Sequence, residues 1–278
     1  GHIREVNAII QVVRCFDDGN VVHVNGQVDP VEDIETINLE LALADLEQVQ
    51  KKLEGLPRAL KSQDKKISGK ARAQKPILER LAASLENGIP ARAIEMSEED
   101  LELIKELNLI SLKKMLYLCN VDEEALLEGN EYVERVNEIA KKESAEVLTI
   151  CGKLESEIAA LETLEEKNEF LEAAGIEESG LDRLTRQAYD MLGYKTFFTA
   201  GEKEVRAWTF PEGAKAPEAA GVIHSDFERG FIKAEVYHCE DLFEFGSEAK
   251  VKEKGKFRME GKEYIVKDGD VIHFRFNV

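Results

Sequence analysis

Three short apolar runs stand out along the chain, and each is typical of a buried β-strand. They cover residues 8–16, 115–119 and 147–151 and are rich in β-branched or other aliphatic side chains. A helical pattern over Asn130–Glu143 separates the second run from the third. Strands that alternate with helices predict parallel βαβ units, so the pattern indicates an α/β fold. A turn signal at residues 17–20 ends the first strand.

A long helical stretch lies between the first and second predicted strands. We expect Asp33 or Thr36 to cap its start. Leucines then recur at spacings that form one seam, made of Leu39, Leu43, Leu46 and Leu53. The pattern weakens at residues 55–57, and a second helix, which Pro76 starts or kinks, ends near Asn87. Together the two stretches predict a helical hairpin.

Short strands dominate the last part of the chain. The pattern predicts two strands around a turn, one helix and three more strands, at residues 196–201, 204–210, 216–228, 232–237, 263–266 and 271–276. A turn at Asp268-Gly269-Asp270 precedes the last strand. This order of elements predicts a small β-grasp, ubiquitin-like domain.

Composition excludes several classes of protein. Of the 278 residues, 43% are hydrophobic and 33% are charged, which is not the composition of a disordered chain. No apolar run is long enough for a membrane-spanning helix, so we expect no membrane association. The four cysteines are far apart, which excludes a zinc ribbon or a dense disulfide scaffold and favours the reducing cytoplasm.

The net charge of −19 is unevenly distributed. Residues 51–80 hold ten Lys and Arg against three Asp and Glu, so the rest of the chain is strongly acidic. The predicted hairpin therefore has a basic tip, whose candidate RNA-binding side chains are Lys61, Lys65, Lys66, Lys70, Arg72 and Lys75. The competing interpretation is a solvated charged face without a partner.

A candidate base-recognition motif, Asn120-Val121-Asp122-Glu123, follows the second predicted strand. Ligands of open α/β sheets bind outside the carboxyl ends of strands. GTP-binding proteins carry N-K-x-D there, and its Asp accepts hydrogen bonds from two donors of guanine that adenine lacks. Glu123 in place of Asp and Val121 in place of Lys favour adenine. The competing interpretation is a strand-ending Asn followed by an acidic helix start.

Several longer blocks extend over nearly the whole chain. They are IREV at 3–6, VVRCF at 12–16, VDPVEDIETINLEL at 28–41, FTAGEKEVRAW at 198–208, HSDFERGF at 224–231 and DGDVIHFRFNV at 268–278. In this order they resemble the YchF/Obg-like ATPase family. The resemblance implies a Ras-like P-loop nucleotide-binding domain over 1–34 and 90–194, an inserted helical hairpin over 35–89, and a C-terminal TGS domain of β-grasp type over 195–278.

The resemblance also implies an activity and its partners. Members of this family bind and hydrolyse ATP, with Mg²⁺, in preference to GTP, and they associate with ribosomes. Asn120, Val121 and Glu123 fall at the family's altered base-recognition motif, and Cys151 and Gly152 fall at the last nucleotide loop. We therefore expect a cytoplasmic, monomeric protein that binds ATP or ADP and the ribosome or its RNA.

One family feature is missing from these residues. The sequence contains no G-x-x-x-x-G-K-[ST], because none of its four Gly-Lys pairs precedes a Ser or Thr. We expect the phosphate-binding segment to precede Ile3. Either the chain is a shortened form of the protein, or these residues are only part of a longer protein. We therefore assign no catalytic residue and no metal ligand, and we interpret His23, His224 and His273 as surface or packing residues.

Two functions from different classes remain open at this point. The first is an ATPase, of which these residues are the larger part and which is inactive without the P-loop. The second is a ribosome- or RNA-binding protein without catalysis, which uses the hairpin and the C-terminal domain.

Overall fold

The chain forms two compact units, residues 1–184 and 185–278. The structure is a computed structural model, and it describes residues 2–18, 28–201 and 204–277. The predicted turn at 17–20 runs into residues outside these ranges, and His23 lies outside them altogether. Each unit has its own hydrophobic core.

The described part of the first unit contains a three-stranded parallel sheet. Its strands are β1 (Ala8–Arg14), β2 (Lys114–Asn120) and β3 (Glu146–Ile150), in the order β1-β2-β3. In the register of this sheet, Arg14 lies opposite Asn120, and Asn120 lies opposite Ile150. The three predicted strands and their parallel arrangement are thus confirmed, and their carboxyl ends meet at one edge.

Strand β1 is not the buried strand that its apolar run predicts. It pairs with β2 on one side and is the edge strand of the described sheet. Ile10 and Val12 are 43% and 66% exposed, whereas Val13, which faces the core, is 1% exposed. Strand β2 has neighbours on both sides, and its residues from Met115 to Cys119 are all buried.

Two long antiparallel helices form the hairpin. They are α1 (Pro30–Leu60) and α2 (Lys65–Glu86). The side chain of Asp29 accepts hydrogen bonds from the backbone N–H groups of Val31 and Glu32 and caps α1. The expected caps Asp33 and Thr36 are therefore wrong, because Pro30 at the first helical position already sets the backbone for helix formation.

The predicted leucine seam of α1 is correct for two of its four residues, because Leu46 and Leu53 pack against the core of the hairpin. Leu39 and Leu43 are exposed, and the buried stripe consists instead of Ile34, Asn38, Ala42, Asp45, Val49 and Leu56. Two polar residues, Asn38 and Asp45, occupy inward positions because each is satisfied by hydrogen bonds there. The pattern of apolar residues alone therefore selects the wrong face in the first half of α1.

Proline does not set the start of the second hairpin helix. Helix α2 begins at Lys65, after the cap Asp64, and Pro76 lies inside the helix, as Pro57 lies inside α1. The expected start of α2 at Pro76 is therefore wrong. Its predicted end near Asn87 is confirmed, because Asn87 is the C-cap.

Shorter helices complete the first unit. They are α3 (Glu98–Ile104), α4 (Glu123–Glu128), α5 (Glu131–Glu143), α6 (Gly152–Ala159), α7 (Leu164–Ala174) and α8 (Gly180–Leu192), with 3-10 turns at His2–Arg4, Ala91–Ala93 and Lys105–Leu107. The division between the two units falls within α8. Buried Glu155 of α6 accepts hydrogen bonds from the backbone N–H groups of Gly180 and Leu181 and so fixes the first turn of α8.

The second unit is built on a mixed five-stranded sheet, as far as the structure describes it. Its strands are β4 (Tyr194–Ala200), β5 (Val205–Pro211), β6 (Phe231–His238), β7 (Arg258–Glu260) and β8 (Asp270–Phe276), in the order β5-β4-β8-β6-β7. Its helices are α9 (Ala216–Ile223), α10 (Ser225–Arg229), α11 (Cys239–Phe245) and α12 (Glu248–Glu253). The parallel pair β4–β8 at the centre and the strand order confirm the predicted β-grasp fold.

Several local predictions for the second unit are corrected. The helix predicted over 216–228 is two helices, because the backbone of His224 is extended and its ring caps α10. The strand predicted over 263–266 is a single bridge between Lys215 and Ile265. The pattern did not predict α11, α12 or β7. Among the described residues, no helix is long and apolar enough to cross a membrane.

Candidate functional site

A cavity of about 530 Å³ lies at the carboxyl ends of the three parallel strands. Such cavities have the size of small-molecule sites, and this edge of an open sheet is where ligands bind. It is lined by Phe16, Asp17, Asp18, Asn120, Val121, Asp122, Glu123, Glu124, Cys151 and Lys153. The structure thus brings four of the five predicted cofactor-binding residues to one cavity, and Gly152 lies directly beside it.

Asn120 and Gly152 tie the ends of β2 and β3 together. The Gly152 backbone N–H donates to Oδ1 of Asn120 at 2.8 Å. A Cβ placed on Gly152 would lie 3.1 Å from the same oxygen, closer than most such contacts. Glycine at the start of α6 therefore lets the last loop approach the motif, and Asn120 keeps its side-chain nitrogen available to donate.

Glu123 and Asp122 have different roles at the start of α4. Asp122 is the N-cap and accepts from the Ala125 backbone N–H at 2.8 Å. Glu123 is exposed, and its Oε1 lies 2.7 Å from Nζ of Lys153. The carboxylate of Glu123 raises the pKa of Lys153 by direct hydrogen bonding and by charge. The Glu123 carboxylate at the cavity is therefore already paired with Lys153.

Val121 and Cys151 contribute mainly as buried residues. Val121 is 3% exposed and packs in the core around Cys119 and Ala125, and its backbone N–H donates to the carbonyl of Ile150 at 2.9 Å. Cys151 is 1% exposed and precedes α6. Each shapes the wall of the cavity.

Sequence reasoning missed Phe16, Asp17, Asp18 and Lys153. The first three follow β1, and the Arg14 guanidinium lies 4.9 Å from the centre of the Phe16 ring. The hydroxyl of Tyr132 donates to Asp17 at 2.9 Å, and this bond raises the pKa of Tyr132. The signal was present, because a parallel strand places the residues after it at the same sheet edge.

Cysteine and histidine side chains do not form a reactive cluster in the described ranges. Cys15, which directly follows β1, and Cys119 on β2 are both buried, and the hydrogen bond between them, with burial, raises the pKa of Cys15 far above its ordinary value. His224 caps α10, and His273 lies near Glu248. No group of three or more His, Cys, Asp or Glu in the described residues is placed to hold a metal ion.

The six candidate RNA-binding residues are exposed, but the structure places them in three different situations. Lys61 ends α1, and Lys65 and Lys66 lie in the first turn of α2. Cations at a helix N-terminus oppose the helix dipole, so Lys65 and Lys66 carry a small cost in stability that a bound anion would offset. Lys70 and Lys75 are paired instead, with Glu106 at 2.8 Å and Glu79 at 3.6 Å. Arg72 has no ion-pair partner among the described residues.

A buried polar cluster connects the hairpin to the sheet behind the cavity. Arg92 lies 2.5 Å from Glu143, and it also donates to Asn38 of α1 at 2.6 Å. The hydroxyl of Tyr117 on β2 donates to Glu143 at 2.7 Å, and burial raises the pKa of Tyr117 to about 12. Strand β2 is thus cross-linked to α1 and α5 three residues before Asn120.

Comparison with known proteins shows which family this arrangement belongs to. The Ribosome-binding ATPase YchF of Bacillus subtilis (strain 168) is 54% identical over 279 residues, which cover 100% of this chain and 75% of that protein. The chain belongs to the YchF family. The YchF protein of Escherichia coli O157:H7, which bears the same name, is 47% identical over the same share of both chains. The model YchF-GTPase_C, described as "Protein of unknown function (DUF933)", matches residues 194–277.

A solved YchF structure has the same fold. The Schizosaccharomyces pombe YchF GTPase is 34% identical, with a TM-score of 0.86, over 99% of this chain and 73% of that one. The α/β fold class and the resemblance to YchF proteins are thereby confirmed. The YchF relatives are named as ATPases or as a GTPase, so this is a family of nucleotide hydrolases.

Proposed function

We propose that the chain is the base-binding and ribosome-contacting part of a YchF-type ATPase, which binds ATP in preference to GTP. The observation that carries the proposal is the cavity at the strand ends, where Asn120 is fixed by Gly152 and Glu123 is paired with Lys153. These contacts put a carboxamide and a neutralised carboxylate at the edge of the cavity.

The ion pair supports adenine over guanine. Guanine presents two donors, and a free carboxylate accepts both of them. The carboxylate of Glu123 is already engaged by Lys153, so it is a poorer acceptor for those donors, and the ammonium group repels them. Adenine lacks both donors and loses nothing. Guanine would leave its two donors unpaired at this site, which costs binding energy.

Titration with fluorescent ATP and GTP analogues tests the proposal. The longer protein that contains this chain should bind the ATP analogue more tightly. Equal affinity for the two nucleotides would refute the preference for adenine, while nucleotide binding itself would still be established.

Hydrolysis would need a phosphate-binding segment that these residues do not supply. The sequence has no P-loop motif, and the described residues offer no metal-ion cluster for Mg²⁺. The relatives are longer than this chain, which covers 75% of the Bacillus subtilis protein. The open edge of β1 could pair with a further strand from such a segment, which could also cover the exposed side chains of Ile10 and Val12. We assign the chain by itself the alternative function, binding without catalysis.

The far end of the hairpin would contact the ribosome, and this contact would take place in the cytoplasm. Helix α1 has 31 residues and is about 46 Å long. Lys61, Lys65 and Lys66 lie where α1 gives way to α2, and Lys and Arg bind phosphates without reading sequence. The relatives named ribosome-binding ATPases support this partner. That the protein acts as a monomer, and that the second unit is a TGS domain, stay predictions.

A further inference from the structure

A groove of about 250 Å³ runs between the two hairpin helices, and its lining does not include Lys61, Lys65 or Lys66. Helix α1 and helix α2 each contribute one face to it. It is lined by Lys51, Lys52, Gly55, Leu56, Ala59, Ile67, Lys70, Ala71 and Gln74. The groove therefore combines an apolar floor with three lysines, and it shares no residue with the cavity at the strand ends.

The floor is open to an apolar side chain. Leu56 and Ala71 are buried at its base, while Ile67 at its rim is 50% exposed. Gly55 leaves the mouth of the groove wide, because a Cβ placed on it would meet no atom within 4 Å. An inserted side chain would cover apolar surface that otherwise faces water, which favours binding.

The rim already holds a carboxylate of the chain itself. Glu106 lies 2.6 Å from Nζ of Lys52 and 2.8 Å from Nζ of Lys70, and Gln74 donates to it at 3.2 Å. These hydrogen bonds, of which the one from Lys52 has the largest effect, lower the pKa of Glu106 to about 2. The neighbouring Lys51 has no ion-pair partner within the described residues, so the rim can accept a second carboxylate.

We propose that this groove binds an acidic protein segment that carries an apolar anchor residue. The anchor side chain packs on Leu56 and Ile67, and a carboxylate near it pairs with Lys51. RNA fits less well, because no aromatic side chain is among the described residues lining the groove, and unpaired bases bind chiefly by stacking on such rings. Residues 51–80, which include the whole lining of the groove, hold ten Lys and Arg against three Asp and Glu, and this local positive charge draws an acidic segment toward it.

Two matched glycine substitutions test the proposal on the whole chain. Gly55→Leu fills the mouth of the groove, and Gly69→Leu makes the same change in α2 outside it. Neither added side chain meets an atom at Cβ, and neither glycine has a positive φ, so both variants should fold and gain helix propensity. Lys51→Gln tests the rim, with Lys254→Gln on the second unit as its charge control.

The probe is a labelled amphipathic peptide of Glu, Ala and Leu, about 15 residues long so that it can form a helix. A scrambled peptide of equal composition controls for charge. Fluorescence anisotropy should show about tenfold weaker peptide binding for Gly55→Leu and weaker binding for Lys51→Gln. Both control variants should bind like the unmodified chain, and the scrambled peptide should bind weakly to all.

Three results would overturn the proposal. The first is equal affinity of the chain for the two peptides, and the second is equal affinity of the Gly55→Leu and Gly69→Leu variants for the amphipathic peptide. The third is that short oligouridylate displaces the peptide and that Gly55→Leu also abolishes binding of the oligouridylate. The last result would make the groove an RNA site. None of these measurements depends on nucleotide binding, so they leave the proposed ATPase function untouched.

Discussion

Glu123 is held by a lysine that the motif itself does not contain. The pair with Lys153 joins the start of α4 to the start of α6, across the mouth of the cavity. Asn120 makes a second link between the same two places. A base that enters the cavity thus meets side chains whose positions are set by two strands and two helix starts.

Shortening Glu123 should shift nucleotide preference. In Glu123→Asp the carboxylate moves away from Lys153 and becomes available to the donors of guanine. Hydrogen bonds contribute about 0.5–1.5 kcal/mol each, so the ratio of GTP to ATP affinity should rise about tenfold. Competitive titration of the longer protein measures this ratio.

Glu128→Asp, at the other end of α4, is the matched control and should leave the ratio unchanged. An unchanged ratio in Glu123→Asp would remove this carboxylate from base recognition. Adding Val121→Lys would complete an N-K-x-D motif, but this change would also disturb the packing of the core. Val121 is buried, and a lysine there would have to leave the core.

Glu106 joins the hairpin helices to the turn after α3, and this bond should depend on pH. The folded pKa of about 2 lies below the ordinary value of 4.5. A carboxyl group with a lowered folded pKa stabilises the fold above its unfolded pKa and loses that effect as the pH falls. Wild-type stability should therefore include a contribution that disappears between about pH 4.5 and pH 2.

The variant Glu106→Gln should lack this contribution. At neutral pH it should be less stable by about 1 kcal/mol or less, because the ion pairs are exposed to solvent. The difference from wild type should shrink toward pH 2 in denaturant unfolding. Glu102→Gln, on the same surface and paired with Lys105, is the control. A difference that is constant with pH would show that Glu106 does not act through its charge.

The hairpin as an element should dominate the salt dependence of ribosome binding. Neutralising Z phosphates gives a log–log slope of about −0.7Z to −0.9Z. Changing Lys61, Lys65 and Lys66 to Gln should flatten the slope by roughly 2 to 3 units if all three contact phosphate. Sedimentation with ribosomes over a salt series measures it, and nucleotide affinity should stay the same.

Lys70 and Lys75 are left out of this variant because the structure pairs them with Glu106 and Glu79. Together they form the control, Lys70→Gln with Lys75→Gln, which should change the slope less. An unchanged slope in the triple variant would exclude the hairpin end from the interface and point to the second unit.

The sequence predicts an element well where its own apolar pattern determines its burial, and poorly where contacts with residues distant in sequence determine it. Strand β2 and helix α5 were predictable because their apolar patterns match their burial, and β1 was predictable as a strand although Ile10 and Val12 are exposed. The inward face of α1 was not, because Asn38 and Asp45 are buried through partners distant in sequence. At the site, Asn120 and Glu123 were found by their motif, whereas Lys153 and Phe16 come together only when parallel strands align. The motif alone does not show such contacts, although the predicted parallel strands indicate the sheet edge where they occur.

On the scale of the whole molecule, binding and hydrolysis should be separable. Phosphoryl transfer needs groups that position and neutralise the phosphates, and this chain has no P-loop motif to supply them. The purified 278-residue chain should release no phosphate from ATP above the spontaneous rate. A YchF protein of full length, assayed in parallel, should turn over. Equal turnover of the two would refute the proposal that a separate segment supplies the chemistry.

The strand order of the second unit has a consequence for how the protein is made. Strand β8 follows every other described strand in sequence, yet it lies at the centre of the sheet, between β4 and β6. While a nascent chain emerges from its N-terminus onward, β4 with β5 and β6 with β7 can form only as two separate ribbons, and such pairs are marginal in water. The second core can close only after the residues of β8 have left the exit tunnel. Until then β4 with β5 and β6 with β7 remain unpaired, aggregation-prone ribbons, so the pairing of β8 with β4 and β6 is the step that closes this fold.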